Sequence, residues 1–355
     1  MVSPFVYQSH PARVVFGPGS LGTLAEEIGR LGAQRAFVLS TPDQAGVASD
    51  LVARLGDLAC GSFTGARMHT PVDVTLAAMA DVTAAGADCL VAVGGGSTIG
   101  LAKAIALRTD LPQIAIPTTY AGSEATAIIG QTEDGIKTTQ TSLRVLPEVI
   151  LYDVDLTTSL PVAISVVSAL NAIAHSVEGL YSQQANPVIS LMAQEGIRAL
   201  AAALPRLVRD PHDLAARSDA LYGAWLCGTT LGAVGMALHH KLCHTLGGTF
   251  DLPHAQTHAV ILPHALAYNA SHAPDAIARI EAALGRRDAP LALHNLAQAL
   301  GAPVSLKELG MPRDGLDRVV ELTLAKPYWN PAPLEARRLK ALLERAWEGL
   351  PPAAD

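Results

Sequence analysis

The chain has 355 residues, half of them hydrophobic, and only 4% are aromatic, so its cores must be built from Ala, Leu, Val and Ile. That length allows two domains with substantial cores. Charged residues make up 16% and the formal net charge is −7, with no basic run or stripe; this argues against a nucleic-acid partner and obliges any anionic ligand to be held by specific local groups.

The opening residues show no basic region followed by an apolar core, so no signal peptide is expected, and the apolar segments are too interrupted to read as membrane spans. Residues 13–16 read as a short strand closed by Gly17-Pro18-Gly19, with Ser20 capping a helix to about Leu31. Residues 35–39 read as a buried strand that stops at Ser40-Thr41-Pro42-Asp43. A helix over 47–55 and a short segment ending near Arg67 follow. Next come a helix over 72–85, a wholly apolar strand over 89–93, and the turn Gly94-Gly95-Gly96-Ser97. A helix to Leu107 and a strand over 113–116 complete the series. Uninterrupted apolar strands alternating with helices predict an α/β domain, doubly wound about a parallel sheet.

From about Val162 the strand signals cease. Ala/Leu-rich helical patterns cover 162–182, 187–208, 213–233, 236–246 and 257–270, with Gly247-Gly248 expected to end the fourth. The boundary falls near Leu160-Pro161. It separates an N-terminal dinucleotide-binding domain, 1–160, from an all-helical substrate and catalytic domain, 161–355, with the active cleft expected between them. Repeats are absent. Cys60, Cys89, Cys227 and Cys243 are scattered without a Cys-x-x-Cys pair, which reads as reduced thiols of a cytoplasmic protein, neither a disulfide framework nor a zinc site.

Two stretches in the first domain carry binding chemistry. Glycines at 94–96, between a buried strand and a helix, let backbone N–H groups approach a phosphate, and the helix dipole favours the anion. The turn is neither the G-x-G-x-x-G fingerprint nor a P-loop. The next strand ends in Thr118, Thr119, Tyr120 and Ser123, at the sheet edge where ligands of open α/β sheets sit. Together Gly95, Gly96, Ser97, Thr118, Thr119, Tyr120 and Ser123 read as a dinucleotide site. Ser40 and Thr41, at the end of the second strand, suit either ribose form, so NADH and NADPH both remain open.

In the second domain, six of the twelve histidines lie between His239 and His264. His240 and His244 are four apart on a helix, as are Asn171 and His175 upstream, so each pair shares a face. His254 returns after a short loop behind Pro253. Imidazoles converging in this way suit proton transfer, metal binding or anion capture.

With these residues assembled, the chain resembles the iron-containing alcohol dehydrogenase superfamily over essentially its whole length. The matching landmarks are Phe16-Gly17-x-Gly19, Gly94-Gly95-Gly96-Ser97, Pro117-Thr118-Thr119 with Gly122-Ser123-Glu124, Pro147 with Asp153, and Leu160-Pro161. Farther on they are Ala172-x-x-His175-x-x-Glu178 and His240-x-x-x-His244-x-Leu-Gly247 with Pro253-His254. The resemblance implies the dehydroquinate synthase-like fold and a metal held by one Asp and three His. The His positions fall on His175, His240 and His254, but the Asp position is Asn171. A neutral amide in place of a carboxylate is a poor ligand for a divalent cation, so no metal is expected.

The segments around Asn171–His175 and His239–His258 resemble one branch, the maleylacetate reductases. That resemblance implies an NADH- or NADPH-dependent reduction of a small dicarboxylate, maleylacetate, to 3-oxoadipate in aromatic-compound breakdown, and a homodimer. Conjugate hydride addition to an enone leaves an enolate, which hydrogen-bond donors can stabilise without a metal. His244 and His254, unranked, are the candidates for enolate stabilisation and protonation. Asn171, His175, His240 and Lys241 are the candidates for the substrate carboxylates, Lys241 being equally readable as a solvated residue. The alternative within the superfamily is a metal-dependent alcohol or glycerol dehydrogenase.

Overall fold

Strand runs that are apolar at every position are covered on both faces, and the first part of the chain folds accordingly. The computed structural model describes residues 5–10, 12–326 and 328–353. Residues 9–160 form one compact unit, and residues 161 onward, with the described N-terminal residues up to Gln8, form a second. In chain order the first unit contains β1 (Arg13–Phe16), α1 (Leu24–Arg30), β2 (Ala36–Leu39), α2 (Ala45–Leu55), β3 (Ala59–Phe63) and α3 (Val72–Ala84). It continues with β4 (Cys89–Gly94), α4 (Gly96–Thr109), β5 (Gln113–Pro117), β6 (Ile128–Glu133), β7 (Ile136–Thr141) and β8 (Val149–Tyr152).

Six strands make one parallel sheet in the order β1-β8-β5-β4-β2-β3. Val38, Val91, Val93, Ile114, Ile116 and Leu151 face α1 and α2, packing on Leu24, Ile28 and Leu51. Their neighbours Phe37, Leu39, Leu90, Ala92 and Ala115 face α3 and α4, packing on Val74, Ala78, Ile99 and Ile105. Every residue of β2, β4, β5 and β8 is therefore buried. Four strands went unread in the sequence, the first of them β3 at the edge of the sheet beside β2. β8 lies inside the sheet between β1 and β5, and β6 and β7 form a separate antiparallel hairpin. Its turn is Asp134-Gly135, both with positive φ (50° and 74°), the backbone that a two-residue hairpin requires.

Ser20 does not cap a helix. It opens a single 3-10 turn, and its hydroxyl donates to the Tyr152 carbonyl at 3.1 Å. The capping carboxylate is Asp153, which arrives from the end of β8 and accepts from the N–H groups of Gly19 (3.0 Å) and Leu21 (2.8 Å).

The second unit is helical: α5 (Val162–Tyr181), α6 (Pro187–Arg209), α7 (Leu214–Ala233), α8 (Leu238–Phe250), α9 (His254–Asn269), α10 (Pro274–Leu284), α11 (Ala289–Ala299), α12 (Leu316–Leu324) and α13 (Ala336–Glu348). Asn186 and Asp213 accept from the third N–H of α6 and α7 and fix where those helices begin. α5 is long and apolar enough to cross a membrane by length and composition, but 83% of its apolar window is buried inside this unit, as befits a central core helix. α6 and α7 meet through glycines: a Cβ at Gly196 would lie 2.8 Å from Cys227 Sγ, and one at Gly223 would lie 2.8 Å from Leu200 Cγ.

Gly247-Gly248 does not end α8, which runs on to Phe250 and stops where Asp251 turns left-handed at φ 53°. The last turn is held by packing: the Phe250 ring covers Gly315 and joins the apolar cluster around Leu246 and Leu252. His254 consequently starts α9, directly behind Pro253, and is not part of a loop.

Candidate active site

Three helices of the second unit bring the histidines together. On α5, Asn171, His175 and Glu178 stand at i, i+4 and i+7 and so share a face. α8 contributes His239 and Cys243 on one stripe and His240 and His244 on the next, and the first turns of α9 add His254 and His258. The rings of His240 lie 5.2 Å from His175 and 5.0 Å from His258, centroid to centroid. His254 is 4.4 Å from His258 and stacks on His244 at 6.4 Å.

The cluster has two layers. Asn171, His175, His239, His240 and His258 are buried, whereas His244 and His254 are exposed and Lys241 is half-buried. Within the buried layer, Asn171 Oδ1, His175 Nδ1, His239 Nδ1, His240 Nε2 and His258 Nε2 have no hydrogen-bond partner among the described residues. Unpaired buried polar atoms are costly, and five in one layer make it the candidate place for a polar ligand. Burial is the leading cause that pushes His175 and His258 well below the usual imidazole range and lowers His239 to about 3. These three are neutral hydrogen-bonding groups. Lys241 Nζ sits 5.8 Å from the Tyr328 ring centroid, within cation–π range.

Glu178 organises the site, a role its place in the sequence motif did not disclose. Completely buried, it accepts from the backbone N–H groups of Ala237 (3.0 Å), His239 (2.8 Å) and His240 (3.4 Å), capping α8 from another helix. It also takes the His240 Nδ1–H at 2.6 Å. Burial alone would raise its carboxyl, but the His240 hydrogen bond and charge, with His239 and the Ala237 N–H, outweigh that and hold it at about 2. The pairing fixes the orientation of the His240 ring and leaves Nε2 to face the site. His239 Nε2 and His258 Nδ1 are also hydrogen-bonded, at 2.9 Å, and Cys243 Sγ lies 3.7 Å from His239 Nε2.

In the first unit, the loops expected to bind a dinucleotide leave three adjacent strands, β2, β4 and β5, at their carboxyl ends. Gly94 pairs with Pro117, and the Thr118 N–H donates to Gly94 O at 3.1 Å. A Cβ on Gly95 would lie 2.8 Å from Thr119 Cγ2, and Ser123 Oγ is 4.0 Å from where a Cβ of Gly96 would stand. α4 begins at Gly96 with no capping side chain and no acidic residue in its first turn, and Gly96 and Ser97 are accessible. That is an open helix N-terminus of anion-binding type. Thr118 is buried and accepts from Gln44 Nε2 at 2.8 Å, so Gln44, unnoticed in the sequence, links the second-strand loop to the others. Ser40 is wholly buried with its hydroxyl on the Thr41 carbonyl, leaving Thr41 as the accessible member of that pair. Tyr120 is also wholly buried, which places it inside the fold and away from the loop surface.

The positions that the motif resemblance assigns to a metal are Asn171, His175, His240 and His254. Their donors are one amide oxygen and three imidazoles, with no carboxylate. Among the described residues, one group of three His, Cys, Asp or Glu has its ligand atoms within 4.8 Å of one another: His239, Cys243 and His258, a different set. Cys243, which its spacing separated from any such cluster, is thus part of one. The residues at 171, 175, 240 and 254 do not fit a firmly held divalent ion, and no step below passes through one.

Comparison with known families agrees with this architecture. The iron-containing alcohol dehydrogenase family matches residues 11–154, and its C-terminal part matches residues 165–347. The chain belongs to the iron-containing alcohol dehydrogenase family. Within it, the chain is 58% identical to a maleylacetate reductase of a Rhizobium species, covering 99% of this chain and 100% of that one. It is 57% identical to a maleylacetate reductase of Sphingobium indicum, covering 98% and 99%. The crystal structure of maleylacetate reductase from Agrobacterium tumefaciens superposes with a TM-score of 0.96 at 58% identity, covering 99% of this chain and all of that one.

Proposed function

We propose that this chain is an oxidoreductase that reduces the carbon–carbon double bond of maleylacetate to give 3-oxoadipate, using NADH or NADPH, in the breakdown of aromatic compounds. One observation carries the reading: full-length identity of 57–58% to maleylacetate reductases, in a chain with a hydrogen-bonded cluster of buried histidines. When bound, the reduced nicotinamide supplies a hydride to the alkene carbon β to the ketone, and the electron pair of the double bond moves onto the ketone oxygen as an enolate.

The chain's residues then have two tasks. The accessible His244 and His254 donate hydrogen bonds to the enolate oxygen, and one of them delivers a proton to the adjacent carbon. Asn171, His175, His240 and Lys241 receive the carboxylates, the first three through side-chain N–H groups on the buried floor and Lys241 through its ammonium group. Glu178 keeps His240 in one orientation. Gly95, Gly96, Ser97, Thr118, Thr119 and Ser123 hold the cofactor, with the pyrophosphate at the start of α4. Enolates are far weaker bases than alkoxides, so this reaction proceeds without a Lewis acid.

The test is spectrophotometric. NADH and NADPH are each assayed with freshly prepared maleylacetate, with and without EDTA, and the product is identified as 3-oxoadipate. Turnover that survives the chelator supports the reading. Failure to turn over maleylacetate, together with metal-dependent alcohol oxidation, overturns it.

A further inference from the structure

Lys103 is used by none of these steps, yet it is among the most buried charged residues of the chain, at 1% exposure. It lies on α4, about two turns beyond the glycine turn. Its Nζ donates to the carbonyls of Ser123 (2.5 Å), Thr126 (2.7 Å) and Ile128 (2.9 Å) and to Thr126 Oγ1 (3.0 Å). All four oxygens belong to the segment that leaves β5 and returns as β6. Burying an amine is expensive, and an apolar residue would fill the same space at less cost. What distinguishes Lys103 is what it grips. Burial lowers its amine to about 7, against the opposing Glu124 carboxylate, and in either charge state Nζ keeps N–H donors for these oxygens.

The opposite side of the same segment faces the glycine turn. Thr119 touches Gly95, Ser123 lies beside Gly96, and the Ser123 hydroxyl has no partner among the described residues. Glu124, the next residue, is buried and accepts from the Tyr152 hydroxyl at 2.8 Å, which ties the segment to the end of β8. The segment therefore has anchors at Lys103 and Tyr152 and presents its hydroxyls toward the α4 N-terminus. One rigid helix carries both the glycine turn and the amine that sets the height of the facing loop.

We propose that Lys103 is a positioning residue for the nicotinamide cofactor, fixing Thr119 and Ser123 against the glycine turn so that both loops grip one ligand. This rests on the assignment of those loops to the cofactor. Lys103→Met retains length and apolar bulk but removes the donors. The expected result is a rise of about tenfold or more in the Kd and KM for NAD(P)H, the loss that accompanies misplacement of a hydrogen-bonding group. The KM for maleylacetate and the kcat at saturating cofactor should change by less than about twofold, because uniform binding alone is lost. A merely structural role would instead lower thermal stability with no selective change in the cofactor constants.

Thr126→Val removes one acceptor at constant volume and should move the cofactor constants in the same direction, by less. An unchanged cofactor KM in folded Lys103→Met overturns the proposal, and so does an unchanged value in Thr126→Val where Lys103→Met does not fold. Gly95→Val separates this from the underlying assignment. If Gly95→Val leaves NADH binding intact, the cofactor site itself is misassigned. If Gly95→Val weakens binding and Lys103→Met does not, only the role of Lys103 fails.

Discussion

Replacing Glu178 with Gln tests the construction of the active site most directly. The carboxylate receives three backbone N–H groups at the start of α8, the His240 ring at 2.6 Å and the Tyr181 hydroxyl at 3.4 Å. Glutamine offers one acceptor oxygen and turns an NH2 group toward donors, so at least one buried N–H loses its partner. Two routes give the magnitude. The carboxyl is lowered from an ordinary 4.5 to about 2, and at 1.36 kcal/mol per unit this is on the order of 3 kcal/mol of native-state preference for the ionised form. Removing one partner of a buried charged pair costs about 3–5 kcal/mol by general experience. At about 2–4 °C per kcal/mol for a unit of this size, the melting temperature of the helical unit should fall by roughly 10 °C. Because the folded-state value is depressed, the contribution is complete above pH 4.5 and disappears as pH falls toward 2. The stability gap between wild type and Glu178→Gln should therefore close over that window. Urea unfolding followed by circular dichroism at neutral and acid pH measures it, and the activity should fall by about tenfold or more in kcat as His240 loses its orientation. A variant within about 1 kcal/mol of wild type at neutral pH, with a gap indifferent to acid, would show that the buried carboxylate does not hold this helix.

Asn171→Asp should gain measurable zinc or iron by elemental analysis, because it supplies a charged oxygen beside His175, His240 and His254, and it should lose maleylacetate reduction through repulsion of a dianion; a variant that stays metal-free and active refutes this. Changing His244 or His254 to Phe should lower kcat by on the order of 10²-fold or more if the residue stabilises the enolate, whereas a change confined to KM assigns that histidine to carboxylate binding. Gly95→Val should weaken NADH binding in a fluorescence titration, since its side chain would enter the space of Thr119.

The sheet was legible wherever two-sided burial makes a strand apolar throughout, as in β2, β4 and β5. β3 escaped because Ala59–Phe63 is an edge strand of half-buried Ala, Cys, Gly, Ser and Phe, with neither an apolar run nor a clean alternation. The β6–β7 hairpin did leave a signal in Asp134-Gly135, but strands rich in Thr, Gln, Lys and Glu beside it do not look buried. Helix positions followed from Ala/Leu periodicity. The α8 terminus did not, because glycine permits a stop without imposing one, and the Phe250 contact with Gly315 that extends the helix comes from a distant segment.

The site was legible in its members more than in their roles. Spacing of four put Asn171 with His175 and His240 with His244, since periodicity reports faces of a single helix. It is silent about what one helix does to another. Glu178 reaches α8 across about 60 residues of chain, and the His239–His258 bond joins α8 to α9; both lie beyond any local pattern. Burial then assigns the labour. Desolvation lowers His175, His239 and His258 below the usual imidazole range, so on the proposed reading they form a polar floor that adds no charge beneath a substrate. On the proposed reading, the groups that water can reach, Lys241 with the accessible His244 and His254, form the outer layer that meets the substrate. On the same reading, a polar floor over one ionised Glu178 suits an amide at position 171. A second carboxylate there would place two anions beneath a dianionic substrate, while Asn171 keeps the single negative charge of the floor where His240 already answers it.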